Sequence, residues 1–140
     1  GGLIPDVPSP PHPALPPAGR VVTALPLCQV RLVDDARFFW AVLVPRRPGL
    51  VEIIDLDAAG RATLMAEIAA VSTALKAASG CAKLNVASLG NMVAQLHVHV
   101  VARNPGDAAW PGPVFGVGVR APMDAATRDA RRDALRDLLA

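Results

Sequence analysis

The sequence predicts an α+β fold, a single antiparallel sheet with helices on one side. Two observations carry this expectation. The elements run as strands, a long helix, a hairpin and a closing helix, which is not the alternation of βαβ units. The chain has 140 residues, 52% of them hydrophobic and 19% charged, enough for one compact domain with a single core. One active site is expected.

Half of the 14 prolines fall within residues 4 to 17, a stretch that cannot donate a regular hydrogen-bond ladder. Residues 1–24 therefore read as a Pro-rich arm, extended on the domain or loose, and residues 25–140 as the folded domain. Gly1-Gly2 has the look of a cloning remnant, and no signal peptide is expected. From Leu27 the pattern changes: Cys28, Val30 and Leu32 alternate with Gln29 and Arg31, as in a half-buried strand. Asp34-Asp35-Ala36-Arg37 breaks it. Ala41-Val42-Leu43-Val44 is continuously apolar, as a central strand covered on both faces would be, and Pro45 with Pro48-Gly49 ends it. Asp57 is a candidate N-cap. Leu64, Ile68, Val71 and Leu75 follow at helical spacing, and Gly80 supplies the C-terminal stop. Residues 82–87 and 95–103 read as the strands of a hairpin, joined through Ser88-Leu89-Gly90-Asn91. A closing helix from Asp124 to about Leu139 is supported by its cap and by the pairs Asp129 with Arg132 and Asp133 with Arg136.

Charge and composition narrow the function. Net charge is +2, aromatics are 4% of the chain, and there is no Tyr, so a basic groove with stacking surface for polynucleotide is not expected. No apolar run approaches the roughly 20 residues of a membrane helix. Cys28 and Cys81 form no CxxC pair and are too few for a disulfide framework, which fits thiols in a reducing, cytoplasmic compartment.

The chemistry points to Gln95-Leu96-His97-Val98-His99-Val100-Val101. Residues two apart on a strand share a face, so Gln95, His97 and His99 line up on one surface while Leu96, Val98 and Val100 point into the core. Each imidazole can act as nucleophile, proton donor or ligand near neutral pH.

This strand, the run Leu84 to Ala94 leading into it, Trp110-Pro111-Gly112-Pro113 after it, and the strand ending in Val44-Pro45-Arg46-Arg47 together resemble the histidine triad (HIT) family. Within it they are most similar to a bacterial group often labelled diadenosine tetraphosphate hydrolase-like. The resemblance runs from about His12 to the closing helix. The family pattern HxHxHxx places Gln95 at the first histidine, His97 at the middle one and His99 at the third. It implies a HIT-like fold of about five antiparallel strands with one long helix and a C-terminal helix. It also implies a nucleotide hydrolase or nucleotidyl transferase acting at the α-phosphate of a nucleotide ester such as a dinucleoside polyphosphate. His97 would be the nucleophile, forming a nucleotidyl-imidazole intermediate, and a backbone carbonyl receiving its other N–H would fix the tautomer. His99 would help protonate the leaving group. Gln95 can donate a neutral hydrogen bond but cannot carry a proton.

By the same resemblance, Asn85, Asn91 and the backbone N–H of Met92 approach the phosphate, and Asp34 binds ribose hydroxyls. Trp40 stands where many members have a further histidine. Trp110 packs beside the site or a partner, or belongs to the core. No cofactor is required, with room for a divalent metal carried by the nucleotide, and a homodimer is implied. Two alternatives remain beside this reading. One is a zinc site using the HxH pair with a third ligand from Cys28, Cys81, His12 or an Asp. The other is a nucleotide-binding protein weakened in catalysis by Gln95, Met92 and Trp40.

Overall fold

The computed structural model describes residues 21–140. Residues 4 to 17, and with them most of the expected arm, lie outside the described residues. So do Gly1-Gly2 and His12. Eight elements follow: β1 (Val21–Ala24), β2 (Cys28–Leu32), β3 (Trp40–Pro45), a single 3₁₀ turn (Ile53–Asp55), α1 (Ala58–Ser79), β4 (Lys83–Ala87), β5 (Val98–Arg103) and α2 (Ala125–Leu139). The strands make one five-stranded sheet in the order β1-β2-β3-β5-β4, every pairing antiparallel. Val21–Ala24, expected within the arm, pairs with β2 as an edge strand, so the sheet starts before residue 25.

β3 is the middle strand, as its unbroken apolar run predicts. Ala41, Val42 and Leu43 are fully buried because α1 covers one face, while Val42 and Val44 pack with Val33, Trp40 and Val93 on the other. β2 departs from the half-buried pattern. Arg31 is only 3% exposed, and its Nε–H donates to Gln29 Oε1 at 2.7 Å on the face that carries Val42.

The expected helical stripe is the buried stripe: Leu64, Ile68, Val71 and Leu75 all enter the core under the sheet. Asp57 Oδ1 accepts from the Gly60 N–H at 2.7 Å, and Gly80 closes α1 in the left-handed region at φ 66°, which glycine adopts without a side-chain penalty. One charged residue shares the buried face. The Glu67 carboxylate accepts from the backbone N–H groups of Leu27 at 2.8 Å and Cys28 at 2.7 Å. It thereby satisfies two buried donors at the start of β2 and pins the helix to that strand. Burial first, and the nearby Glu67 second, push the Cys28 thiol well above its ordinary range, so it is an inert core thiol. Cys81 is also buried and free.

α2 starts at the expected cap, with Asp124 Oδ1 accepting from the Thr127 N–H at 2.7 Å, and packs Leu135 against the core. Arg132 meets Asp129 at 3.3 Å as expected. The second expected pair does not form. Asp133 takes Arg132, while Arg136 reaches back to the Val22 carbonyl at 2.8 Å and ties α2 to β1. A guanidinium that can bond a main-chain acceptor across the fold gains more than from an exposed ion pair. None of the helices among the described residues is long and apolar enough to cross a membrane.

Glu67→Ala should leave two buried amides without partners, at about 1–3 kcal/mol for each. Urea unfolding of this variant should show a midpoint far below that of the exposed-site control Met65→Ala. Equal midpoints would contradict the clamp.

Candidate active site

β5 lies between β3 and β4, so the histidine strand is held on both sides. Its regular part begins later than expected, at Val98 rather than Gln95. The β3 pairing runs from Trp40↔Val101 to Leu43↔Val98. Two steps further the ladder would need a donor from Pro45, which has no N–H. The chain instead turns away, and the Leu96 N–H donates to the Leu50 carbonyl at 2.9 Å.

This departure sets up His97. Its Nδ1 lies 2.6 Å from the backbone carbonyl of Gln95. A carbonyl only accepts, so Nδ1 carries a proton, and in the neutral ring the lone pair is on Nε2. The Ser88 hydroxyl donates to the His97 carbonyl at 2.9 Å, tying the preceding loop to the same segment. His97 is 8% exposed, and its ring centroid is 5.0 Å from that of His99, edge to face. The two imidazoles thus stand together, as the alternation predicted.

His99 has the opposite tautomer. The Trp40 indole N–H donates to His99 Nδ1 at 3.0 Å. Indole can only donate, so the His99 proton sits on Nε2. Val42 from β3 and Ala87 from β4 are its register partners, and the Phe115 ring meets it edge to face at 4.9 Å. Burial in these surroundings, and then the neighbouring His97, lower its pKa from 6.5 to about 4. His99 is therefore neutral at pH 7. Its Nε2–H is then the hydrogen it can offer to a ligand.

Asn85 faces the same side, opposite Val101 on β4. Arg103 Nη1 donates to its Oδ1 at 2.7 Å, which leaves the amide N–H groups as the end that can address a ligand. Arg103 is itself 1% exposed, lies 5.7 Å from the ring centroids of both Phe38 and Trp110, and is held by Asp107 at 2.8 Å and 3.0 Å. Those bonds, with N–H groups of Asn104 and Ala109, hold the Asp107 carboxyl well below the usual carboxylate range. Trp110 caps this buried guanidinium rather than lying wholly in the core, and is 38% exposed. A cleft of about 340 Å³ opens beside Asn85, lined also by Val86, Ala87, Val101 and Phe115.

The remaining predicted positions are more peripheral. Asn91 is exposed in the loop before the histidines, and Met92 is 97% exposed. Asp34 Oδ1 accepts from the Met123 N–H at 2.9 Å, so part of that carboxylate anchors the approach to α2. Gln95 contributes its backbone carbonyl to the site. Sequence reasoning missed Phe115, Arg103, Asp107 and Ser88. Arg103 alone left a signal, since it continues the alternation His97, His99, Val101. Among the described residues no group of three or more His, Cys, Asp or Glu side chains could hold a metal.

A backbone-oriented imidazole thus stands beside an indole-bonded one on the face of the antiparallel sheet opposite α1. The family model of the HIT domain matches residues 18–106. The chain superposes on a histidine triad protein of Bradyrhizobium japonicum with TM-score 0.84 and 51% identity, over 86% of this chain and 90% of that one. A histidine triad protein of Sinorhizobium meliloti gives TM-score 0.83 and 40% identity, over 85% and 88%. One from Marinobacter aquaeolei gives 0.82 and 39%, over 85% and 87%. No curated protein matches the chain. The chain belongs to the histidine triad family, whose members are generally nucleotide-binding hydrolases or transferases that typically need no cofactor.

The depressed His99 pKa has a sign in stability. Between about pH 6.5 and pH 4 the unfolded chain takes up a proton that folded His99 refuses, so stability should fall on acidification through that window. NMR titration should place the His99 ring midpoint near pH 4. A midpoint in the ordinary range between 6 and 7 would contradict the buried, indole-bonded ring.

Proposed function

We propose that this protein is a nucleotide phosphohydrolase or nucleotidyl transferase acting at the α-phosphate of a nucleotide ester such as a dinucleoside polyphosphate. The observation that carries the reading is the Gln95 carbonyl on His97 Nδ1, which in the neutral ring puts the lone pair on Nε2, the nitrogen that would attack. Nε2 attacks the α-phosphorus, the leaving group departs, and water or another acceptor then displaces the histidine. Two displacements replace one slow one.

The other residues have supporting roles in this proposal. His99 offers Nε2–H and Asn85 its amide N–H groups to non-bridging phosphate oxygens. The Asn91 side chain and the Met92 backbone N–H lie on the loop that would close over the phosphate, and Gln95 adds a neutral donor. Asp34, whose Oδ1 accepts from the Met123 N–H, we assign to the ribose. We further propose a cytoplasmic homodimer with no resident metal, any divalent ion arriving with the nucleotide. The free, buried cysteines support a reducing compartment.

Acid quenching during turnover of an α-³²P-labelled dinucleoside polyphosphate should trap label on His97. His97→Ala should lose turnover by roughly 10³-fold or more. Full turnover by that variant would refute the mechanism, and nucleotide binding with no product at all would favour the weakened-binder alternative.

A further inference from the structure

Each of the three places in the altered triad has lost the means to deliver a proton. Gln95 cannot titrate, and its carbonyl is occupied with His97. His97 spends Nε2 on the attack, while its single proton stays on Nδ1 against that carbonyl. His99 has a proton on Nε2, but to give it up and remain neutral it would need a replacement on Nδ1. There the Trp40 indole points a second N–H at the same nitrogen. An imidazolium would set two hydrogens face to face.

The groups facing His99 offer no way round this. They are Trp40 and Val42 from β3, Ala87 from β4, Phe115 from the crossing segment, and His97 on its own strand. Of these only His97 titrates, and its positive charge would oppose a second one beside it. Arg31 lies one strand further across the same face and is itself a cation. Among the described residues, the groups around His99 therefore include donors but no acid.

Resting on the nucleotidyl-transfer reading, we infer that Trp40 is a specificity-determining positioning residue that restricts this site to phosphoric anhydrides, whose leaving groups depart as stable anions without a proton. In the first step the bond from His97 Nε2 to the α-phosphorus forms and the bond from phosphorus to the bridging oxygen breaks. The oxygen leaves with the electron pair, and no proton moves. In the second step a water oxygen bonds to phosphorus, Nε2 recovers its pair, and the water proton passes to solvent. A phosphoramidate or an alkyl ester would need its nitrogen or oxygen protonated as it leaves, and nothing in the triad supplies that proton. A well-placed general acid is worth typically about 10²–10⁴-fold, which sets the discrimination expected.

The test is a series of adenosine 5′-phosphoryl compounds differing only in the leaving group: pyrophosphate or nucleotide anhydrides, substituted phenyl esters of graded acidity, and an alkylamine phosphoramidate. For the unaltered protein, kcat/KM at pH 7 should fall steeply as leaving-group basicity rises, with the amidate about 10²-fold or more below the anhydride. Trp40→Phe keeps an aromatic ring but removes the indole N–H. It should narrow that gap and give amidate turnover a new acid-favoured limb in its pH profile, which a merely structural loss would not do. Amidate and anhydride turned over within a few-fold of each other by the unaltered protein would overturn the inference while leaving the His97 reading intact. So would a gap unchanged in Trp40→Phe. Failure to turn over every member of the series, with no label trapped on His97, would overturn both.

Discussion

The contact between the Gln95 carbonyl and His97 Nδ1 fixes which nitrogen of the middle imidazole carries a proton. It is a main-chain interaction, and any residue at position 95 could make it. A glutamine at the first place of the triad therefore still supplies the acceptor for the second. The side chain is altered, but the acceptor that fixes the tautomer is not in the side chain. What the substitution removes is a titratable group.

The frame serves to hold this contact still. Pro45 stops the ladder just where β5 would otherwise extend, so Gln95 to His97 can bend enough for a ring to meet the carbonyl two residues back. The sheet's middle strand, β3, is buried on both faces. On one side lies α1, fastened to β2 by Glu67 through two backbone amides. On the other, a small apolar floor of Val42 and Val44 continues into Trp40, Phe115 and Phe38. Beyond it Arg103 joins β5 to Asn85 on β4 and to Asp107 in the loop that leads to Trp110. A buried guanidinium bonded to Asn85 and Asp107 and flanked by Phe38 and Trp110 is a rigid joint, because removing a partner would leave charge unpaired in a dry place.

Much of the fold was legible in the sequence because local rules dominated there. The α1 stripe of Leu64, Ile68, Val71 and Leu75, with Asp57 and Gly80 at its ends, needed only helical spacing and cap chemistry. Trp110 and the pairing of His97 with His99 were readable as neighbourhood and alternation. What escaped depended on partners distant in sequence. Arg31 is buried on an apparently polar side of β2, and Glu67 sits on an otherwise apolar face, each for a contact that no periodicity reveals. The tautomer of His99 escaped for the same reason. Its donor lies 59 positions away on Trp40, a residue legible only as a missing histidine.

The two imidazoles therefore have mirrored protonation: His97 carries its proton on the nitrogen nearest its backbone, and His99 on the nitrogen farthest from it. ¹⁵N-edited NMR of histidine-labelled protein at neutral pH reads this directly, in the unaltered chain and in Gln95→Ala. The account predicts that His97 is protonated at Nδ1 in both proteins and His99 at Nε2. A His97 ring protonated at Nε2, or one whose tautomer changes when the Gln95 side chain is removed, would contradict it.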